Sequence, residues 1–313
     1  MPDQAISDRS MMARALQLAE RGLYTTDPNP RVGCVLVRDG QIVGEGWHVR
    51  AGEGHAEVNA LSQAGAQARG ATAYVTLEPC SHTGRTPPCA DALVTAGVAR
   101  VVAAMQDPNP LVAGRGLARL RDAGIEVECG VLEAQAAALN AGFVKRMQTG
   151  LPFVRLKLAM SLDGRTAMAS GESQWITGPE ARADVQRLRA RSSAVVSGAD
   201  AVLLDDSALT VRSAQLGLPE AEAQAAAERQ PLRVLVDGRL RVPLTSRLFQ
   251  QDGPVLVACR LDQSPEQDYR AVGAELLALP SASSDFVDLE ALLRLLASRG
   301  CNEVLVESGA GLA

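Results

Sequence analysis

Aromatic residues are scarce, with Phe, Trp and Tyr supplying only 3% of the 313 residues, so any core must be built from Ala, Val and Leu. A basic excess is also missing. Lys plus Arg number 31 against 36 Asp plus Glu, a formal net charge of -5. A protein that clamps a long nucleic acid normally carries the opposite balance, to offset phosphates. No uncharged run is long enough to span a bilayer, and residues 1–22, with Asp3, Asp8, Arg9, Arg14, Glu20 and Arg21, hold no apolar signal-peptide core. Six cysteines in a chain of this length make no disulfide framework. These absences point to a reduced, soluble, cytoplasmic protein with neither a membrane nor a nucleic acid as partner. What is present is ordinary globular usage, 47% hydrophobic and 21% charged, at a length that suits about two domains.

The pattern alternates helices and strands. Ser7 is a candidate cap for a helix ending near Gly22. Residues 32–37 and 41–47 flank Asp39-Gly40, a strong hairpin signal. Helices are expected at 55–69, 89–96, 116–123 and 132–147, and strands at 71–77, 100–104 and 125–131. The turn-rich Thr149-Gly150-Leu151-Pro152 sets a domain boundary, dividing the chain into 1–149 and 150–313. The second half opens with a strand at 153–160. Thr177-Gly178-Pro179-Glu180 then reads as a capping box for a helix to about Arg191. Strands at 194–197, 233–237, 255–259, 275–279 and 303–307 follow, with a helix at 288–299 and a surface helix or loop at 219–230. The class is α/β, with helices on the faces of each sheet.

Three residue types suited to zinc hydrolysis occur together in the first half. His55-Ala56-Glu57 opens a helix, Glu78-Pro79-Cys80 closes a strand, and Cys89 begins the next helix. One imidazole and two thiolates leave the fourth tetrahedral position of zinc open for water, and H-x-E followed by P-C-x-x-C is the signature of zinc deaminases. Glu57, two residues beyond His55, is placed to shuttle a proton. Here eight residues, not two, separate Cys80 from Cys89, which leaves His82 as an alternative third ligand. A structural zinc would need a fourth protein ligand, with His82 or His48 as candidates. Cys34, Cys129, Cys259 and Cys301 read as small buried hydrophobes.

Asp27-Pro28-Asn29-Pro30-Arg31-Val32-Gly33, His55-Ala56-Glu57 and the run from Pro79-Cys80-Ser81-His82-Thr83-Gly84-Arg85 to Pro87-Pro88-Cys89 closely resemble the bifunctional riboflavin biosynthesis family. So do Lys157-Leu158-Ala159-Met160-Ser161-Leu162-Asp163-Gly164-Arg165 and Gly171-Glu172-Ser173-Gln174-Trp175-Ile176-Thr177, so the resemblance covers both halves. It implies an N-terminal cytidine-deaminase-like α/β/α domain and a C-terminal dihydrofolate-reductase-like α/β domain. The first would remove an amino group from a diaminopyrimidine ribosyl phosphate. The second would use NADPH to reduce the ribosyl group to ribityl. By the same resemblance His55, Cys80 and Cys89 hold one zinc per chain and Glu57 is catalytic. Asn29 and His48 line the pyrimidine pocket, while His82 and Arg85 reach ribose and phosphate. Ser173, Arg189, Arg212 and Glu307 take the second substrate, with Leu209 beside its phosphate. Ala159, Trp175, Asp205 and the loop of Gly309 take NADP. Ala201 stands where some relatives carry a hydroxyl near that cofactor.

No complete G-x-G-x-x-G follows a strand. Gly44-Glu45-Gly46, Gly114-Arg115-Gly116 and Gly309-Ala310-Gly311 each fail, which argues against a standard Rossmann domain. Lys157 and Asp205 are candidates to assist ring opening before hydride delivery. The resembled family continues past the glycine loop with a helix and further strands. The expectation is therefore a 313-residue form that deaminates, reduces poorly and associates through its C-terminal half. A homo-oligomer is compatible with this reading. The competing reading is a nucleobase or transfer-RNA deaminase with a non-catalytic accessory domain.

Overall fold

The structure is a computed structural model, and it describes residues 2–81, 88–110, 112–170, 176–260, 266–283, 286–309 and 312. The chain forms two compact units, Met1–Thr149 and Gly150–Ala313.

The first unit runs α1 (Pro2–Glu20), β1 (Gly33–Arg38), β2 (Gln41–Trp47), α2 (Ala56–Ala64), β3 (Thr72–Val75), α3 (Cys89–Ala96), β4 (Arg100–Ala103), α4 (Arg115–Asp122), β5 (Glu126–Cys129), α5 (Glu133–Leu139) and α6 (Ala141–Thr149). Asp39 and Gly40 both take positive φ, 50° and 73°, which gives the turn the twist that the β1–β2 hairpin needs. The sheet order is β2-β1-β3-β4-β5. The β1 strand is antiparallel to both neighbours, and β3, β4 and β5 are parallel.

Alternate strand residues feed two cores. Val35, Tyr74 and Val102 meet Met12, Ala15 and Leu18 of α1 together with Ala136 and Phe143. Cys34, Leu36, Ala73, Val75 and Val101 meet Ala56, Ala60, Ala90, Leu93 and Leu120 on the other face. With almost no aromatics, these layers approach through small residues. A Cβ on Gly46 would meet the Ala60 backbone nitrogen at 2.5 Å and overlap the Ala56 carbonyl, and one on Gly44 would meet the Ala64 Cβ at 3.0 Å. The G-x-G of β2 is therefore the seat of α2. On the opposite face Asp8 of α1 accepts from Tyr74 Oη at 2.7 Å and from Arg100 at 3.0 Å, tying α1 to β3 and β4.

The second unit runs β6 (Phe153–Lys157), α7 (Pro179–Arg191), β7 (Ala194–Gly198), α8 (Ala199–Asp205), α9 (Glu220–Glu228), β8 (Leu232–Val236), β9 (Val255–Arg260), α10 (Glu266–Ala271), β10 (Ala274–Leu279), the short pair β11 (Ser281–Ser283) and β12 (Phe286–Val287), α11 (Leu289–Ser298) and β13 (Glu303–Glu307). Six strands form one parallel sheet, ordered β10-β9-β8-β7-β13-β6. Both faces are covered, so β7, β8 and β9 are apolar at most positions rather than at alternate ones, with charged residues such as Arg233 and Arg260 as exceptions. Val195, Leu235, Val257 and Leu305 pack on one side, and Val196, Val234, Leu256 and Val304 on the other with Leu292 and Leu296 of α11. The last strand lies inside the sheet, paired with β6 and with β7.

Several local expectations shift. The first helix begins at Pro2, so Ser7 lies inside it. The helix expected over 132–147 breaks at Asn140, whose buried amide is clasped to Arg31. Its Oδ1 accepts the Arg31 N–H at 2.8 Å and its Nδ2 donates to the Arg31 carbonyl at 2.9 Å. The cap of α7 is Gly178 without a side-chain bond, one residue later than the capping box places it, and Pro179 opens the helix. Both α8 and α10 are additions.

Candidate functional site

The N-terminal ends of two helices and the end of one strand meet in the first unit. His55 is the N-cap of α2, Cys89 is the first residue of α3, and Cys80 follows β3. His55 Nδ1 lies 3.2 Å from Cys89 Sγ and 3.6 Å from Cys80 Sγ, and the three donor atoms all lie within 4.8 Å of one another. Tetrahedral zinc with its usual bonds of about 2.0–2.1 Å to nitrogen and 2.3 Å to sulfur separates N and S by about 3.6 Å. The donor set and its spacing fit one zinc, with a fourth position left for a small ligand. His82, the alternative ligand, and Arg85 lie outside the described residues.

Electrostatics distinguish the two thiols. A hydrogen bond from the Cys89 thiol, with further bonds from His55 and the Cys89 backbone N–H at 3.3 Å, holds Cys80 down at about 4 despite burial. The Cys80 thiolate and burial push Cys89 up. Glu57, 3% exposed, is pushed up to about 7 chiefly by burial. A carboxyl poised near neutrality beside a His/Cys/Cys group that could hold a metal suits proton transfer.

His48 and Asn29 stand at the same cluster. The His48 and His55 rings meet edge to face at 5.3 Å, and Asn29 Nδ2 is 3.1 Å from His48 Nε2. Burial pushes the His48 imidazole below its usual range.

The geometry also adds a residue to which the sequence gives no role. Glu78 is buried, and its two carboxylate oxygens accept the backbone N–H groups of Asp107, Gly114, Gly116 and Leu117 at 2.8–3.3 Å. It thereby caps α4 and ties the loop before it to the strand end that leads into Cys80. Gly116 is a glycine because a Cβ there would overlap the Pro79 carbonyl. No disulfide joins the remaining cysteines among the described residues. Cys34, Cys259 and Cys301 are buried as expected, while Cys129 is exposed on the edge strand β5.

In the second unit a cleft of about 860 Å³ opens at the C-terminal ends of β6 and β13, where ligands of parallel α/β sheets usually bind. It brings together Arg189, Leu209, Arg212 and Glu307, with Lys157 and Asp205. Lys157 and Glu307 are register partners on adjacent strands. Arg189 does not lie on a solvated helix face. It is buried, donating to Glu307 at 2.5 and 2.9 Å and to the Thr210 carbonyl at 3.0 Å. Arg212 is pushed below the usual guanidinium range by burial and by the nearby Arg189 and Arg247, so cationic charge is concentrated here as an anion would require. Arg182 and Arg247 also line the cleft, without having been singled out by motif.

Ala159, Ala201 and Gly309 lie outside that lining, and Ser173 and Trp175 lie outside the described residues. The loop after β13 nevertheless suits a phosphate-bearing cofactor. Among the described residues Ser308 Oγ is buried without a partner, and Gly309 is exposed with no atom of them within 4 Å of where a Cβ would stand. No helix among the described residues is long and apolar enough to cross a membrane.

Comparison with known proteins accounts for both units. A family model described as the cytidine and deoxycytidylate deaminase zinc-binding region matches residues 5–105, and one described as the RibD C-terminal domain matches residues 152–313. The chain is 54% identical to the riboflavin biosynthesis protein RibD of Escherichia coli (strain K12) over 98% of its own length and 83% of that protein's. It is similar to the solved structure of Acinetobacter baumannii RibD, form 1, with a TM-score of 0.90 and 52% identity, covering 98% of this chain and 82% of that one. A Thermotoga maritima diaminohydroxyphosphoribosylaminopyrimidine deaminase/5-amino-6-(5-phosphoribosylamino)uracil reductase matches with a TM-score of 0.83 and 38% identity, over 98% of this chain and 82% of that one.

Proposed function

The chain belongs to the RibD family of riboflavin biosynthesis proteins, and from that premise we propose which of its residues carry which chemistry. It is a bifunctional enzyme of riboflavin biosynthesis, a zinc-dependent deaminase of 2,5-diamino-6-(5-phosphoribosylamino)pyrimidin-4(3H)-one and an NADPH-dependent reductase of the deaminated product. The reading of a transfer-RNA deaminase with an accessory domain is not favoured, because the match to RibD spans 98% of the chain.

Deamination is assigned to residues 1–149. The observation that carries this assignment is the convergence of His55 Nδ1, Cys80 Sγ and Cys89 Sγ within 4.8 Å, with the buried Glu57 two residues from one ligand. These three residues would hold zinc, which when bound lowers the pKa of water toward about 7. Glu57 takes a proton from the attacking water and delivers it to the adjacent ring nitrogen, then carries the second proton to the leaving amine, so that N=C–NH₂ and H₂O become HN–C=O and NH₃. Asn29 and His48 orient the pyrimidine, while His82 and Arg85 hold ribose and phosphate.

Reduction is assigned to residues 150–313, where NADPH supplies the hydride. The Arg189–Glu307 pair, Ser173 and Arg212 hold the ribosyl phosphate, with Leu209 beside its phosphate. Lys157 and Asp205 assist ring opening. Ala159, Trp175, Ala201, Asp205 and Gly309 would receive the cofactor, and the Ser308 Oγ, buried without a partner among the described residues, supports that position. The proposed compartment is the cytoplasm, with small molecules as partners.

The test is to supply the purified protein with the diaminopyrimidine phosphate and measure ammonia, then add NADPH and follow its oxidation. Chelation of zinc should abolish ammonia release and leave NADPH oxidation on the deaminated substrate intact. Loss of both activities, or of neither, overturns the division.

A further inference from the structure

The hydrogen bonds around His48 run in one direction only. His48 Nδ1 lies 3.1 Å from the Gly54 carbonyl oxygen. A carbonyl only accepts, so the imidazole proton sits on Nδ1 and the neutral ring offers a lone pair at Nε2. The group facing that lone pair at 3.1 Å is Asn29 Nδ2, a donor. Asn29 Oδ1 therefore lies on the other branch of the amide, and no hydrogen bond to it is seen among the described residues.

The Gly54 carbonyl is itself held in place. Asn59 Nδ2 donates to the Trp47 carbonyl at 2.8 Å and to the Gly54 carbonyl at 3.3 Å, bridging the two ends of the loop that carries His48. Asn59 sits on α2 one turn beyond His55, its backbone N–H bonded to the His55 carbonyl at 3.1 Å. One side chain thus ties the His48 loop to the helix that bears His55 and Glu57.

We infer that Asn59 is a positioning residue that fixes His48 as its Nδ1–H tautomer and so turns Asn29 to present an acceptor, its Oδ1, to an N–H donor on the substrate heterocycle. The inference rests on the reading that Asn29 and His48 line the pyrimidine pocket. An aminopyrimidine edge bearing an N–H group satisfies that acceptor, and an edge bearing a carbonyl at the same place does not. Without the Asn59 donors the Gly54 and Trp47 carbonyls lose their common anchor, either tautomer of His48 becomes accessible, and the Asn29 amide can turn its NH₂ to the substrate. A mismatched hydrogen bond in the pocket lowers kcat/KM by about tenfold to a hundredfold.

The chain has only three histidines, so ¹⁵N-histidine labelling of the zinc-loaded protein gives a small set of ring signals. At pH 8, above the ordinary imidazole value of about 6.5, long-range ¹H–¹⁵N spectra report the tautomer directly. His48 is assigned by its loss in His48→Asn. The expected result is the Nδ1–H form in the wild type. In both Asn59→Ala and the isosteric Asn59→Asp it should give way to a mixture, with kcat/KM for ammonia release falling and zinc content unchanged. An Nε2–H ring in the wild type overturns the inference without any variant having to fold. So does an Asn59→Asp protein whose His48 signals and kcat/KM match the wild type, since packing alone would survive that change. The spectrum reads His48 whether or not the protein deaminates. An Nδ1–H ring without ammonia release therefore refutes the proposed function alone, and ammonia release with an Nε2–H ring refutes this inference alone.

Discussion

The two units of the chain carry their chemistry in different ways. In the first, one imidazole, two thiols and one carboxylate from two short sequence blocks meet around a single point, at or near the ends of helices and a strand. In the second, the cleft at the ends of β6 and β13 is lined by many residues, and its central charges, Arg189 and Glu307, neutralise each other. A metal site demands particular elements at fixed distances, so its residues cannot be exchanged. A polar cleft distributes recognition over cations and backbone groups, so each residue matters less to the chemistry and more to the local fold.

That contrast can be broken by mutation. Cys89→Ala should have the largest effect, with loss of bound zinc and of ammonia release while NADPH oxidation persists, as read by metal analysis and paired assays. Glu307→Gln should leave ammonia release untouched, lower reductase kcat/KM and destabilise the second unit by about 3 kcal/mol, because it leaves the buried Arg189 without its counter-charge. Denaturant unfolding measures the cost. Gly46→Ala forces a Cβ against the α2 backbone and should destabilise the first unit by about 1–3 kcal/mol while lowering deamination. Thermal unfolding and ammonia release check both effects.

Acid sensitivity is the smallest effect. Burial pushes the Asp8 carboxyl up, but hydrogen bonds from Arg100 and Tyr74 outweigh it and hold the group below its ordinary value of 3.8. The folded state therefore binds this proton less readily than the unfolded chain. The resulting stability is fully present above the unfolded value and is lost as pH falls through the lowered folded value. Asp8→Asn should cost about 1–2 kcal/mol at pH 7 and flatten the acid limb of the stability curve below about pH 4, measured by urea unfolding across pH.

The same contrast explains what was legible in the sequence. The hairpin at Asp39-Gly40 was legible because turn chemistry is local. The meeting of His55, Cys80 and Cys89 was legible because imidazole, thiolates and a carboxylate at that spacing have few other uses. The break at Asn140 was not, since it depends on a clasp to Arg31, distant in sequence. Gly44-Glu45-Gly46 invited comparison with a phosphate loop, whereas its glycines admit a helix. Asn59 reads as an ordinary polar helix residue, and only its spacing of one turn from His55 could have marked it. Of the residues lining the second unit's cleft, Arg189 sits between Arg187 and Arg191 in a run that looks solvated, and only the fold shows that it turns inward to Glu307.

The central claim, that one half deaminates and the other reduces independently, is tested most directly by Glu57→Gln. Zinc content, ammonia release and NADPH oxidation should be measured on the same preparation. The account predicts about one zinc per chain, ammonia release lowered by about a hundredfold to ten-thousandfold, and NADPH oxidation on the deaminated substrate equal to wild type. Near-wild-type ammonia release with zinc retained, or a parallel loss of NADPH oxidation, would contradict it.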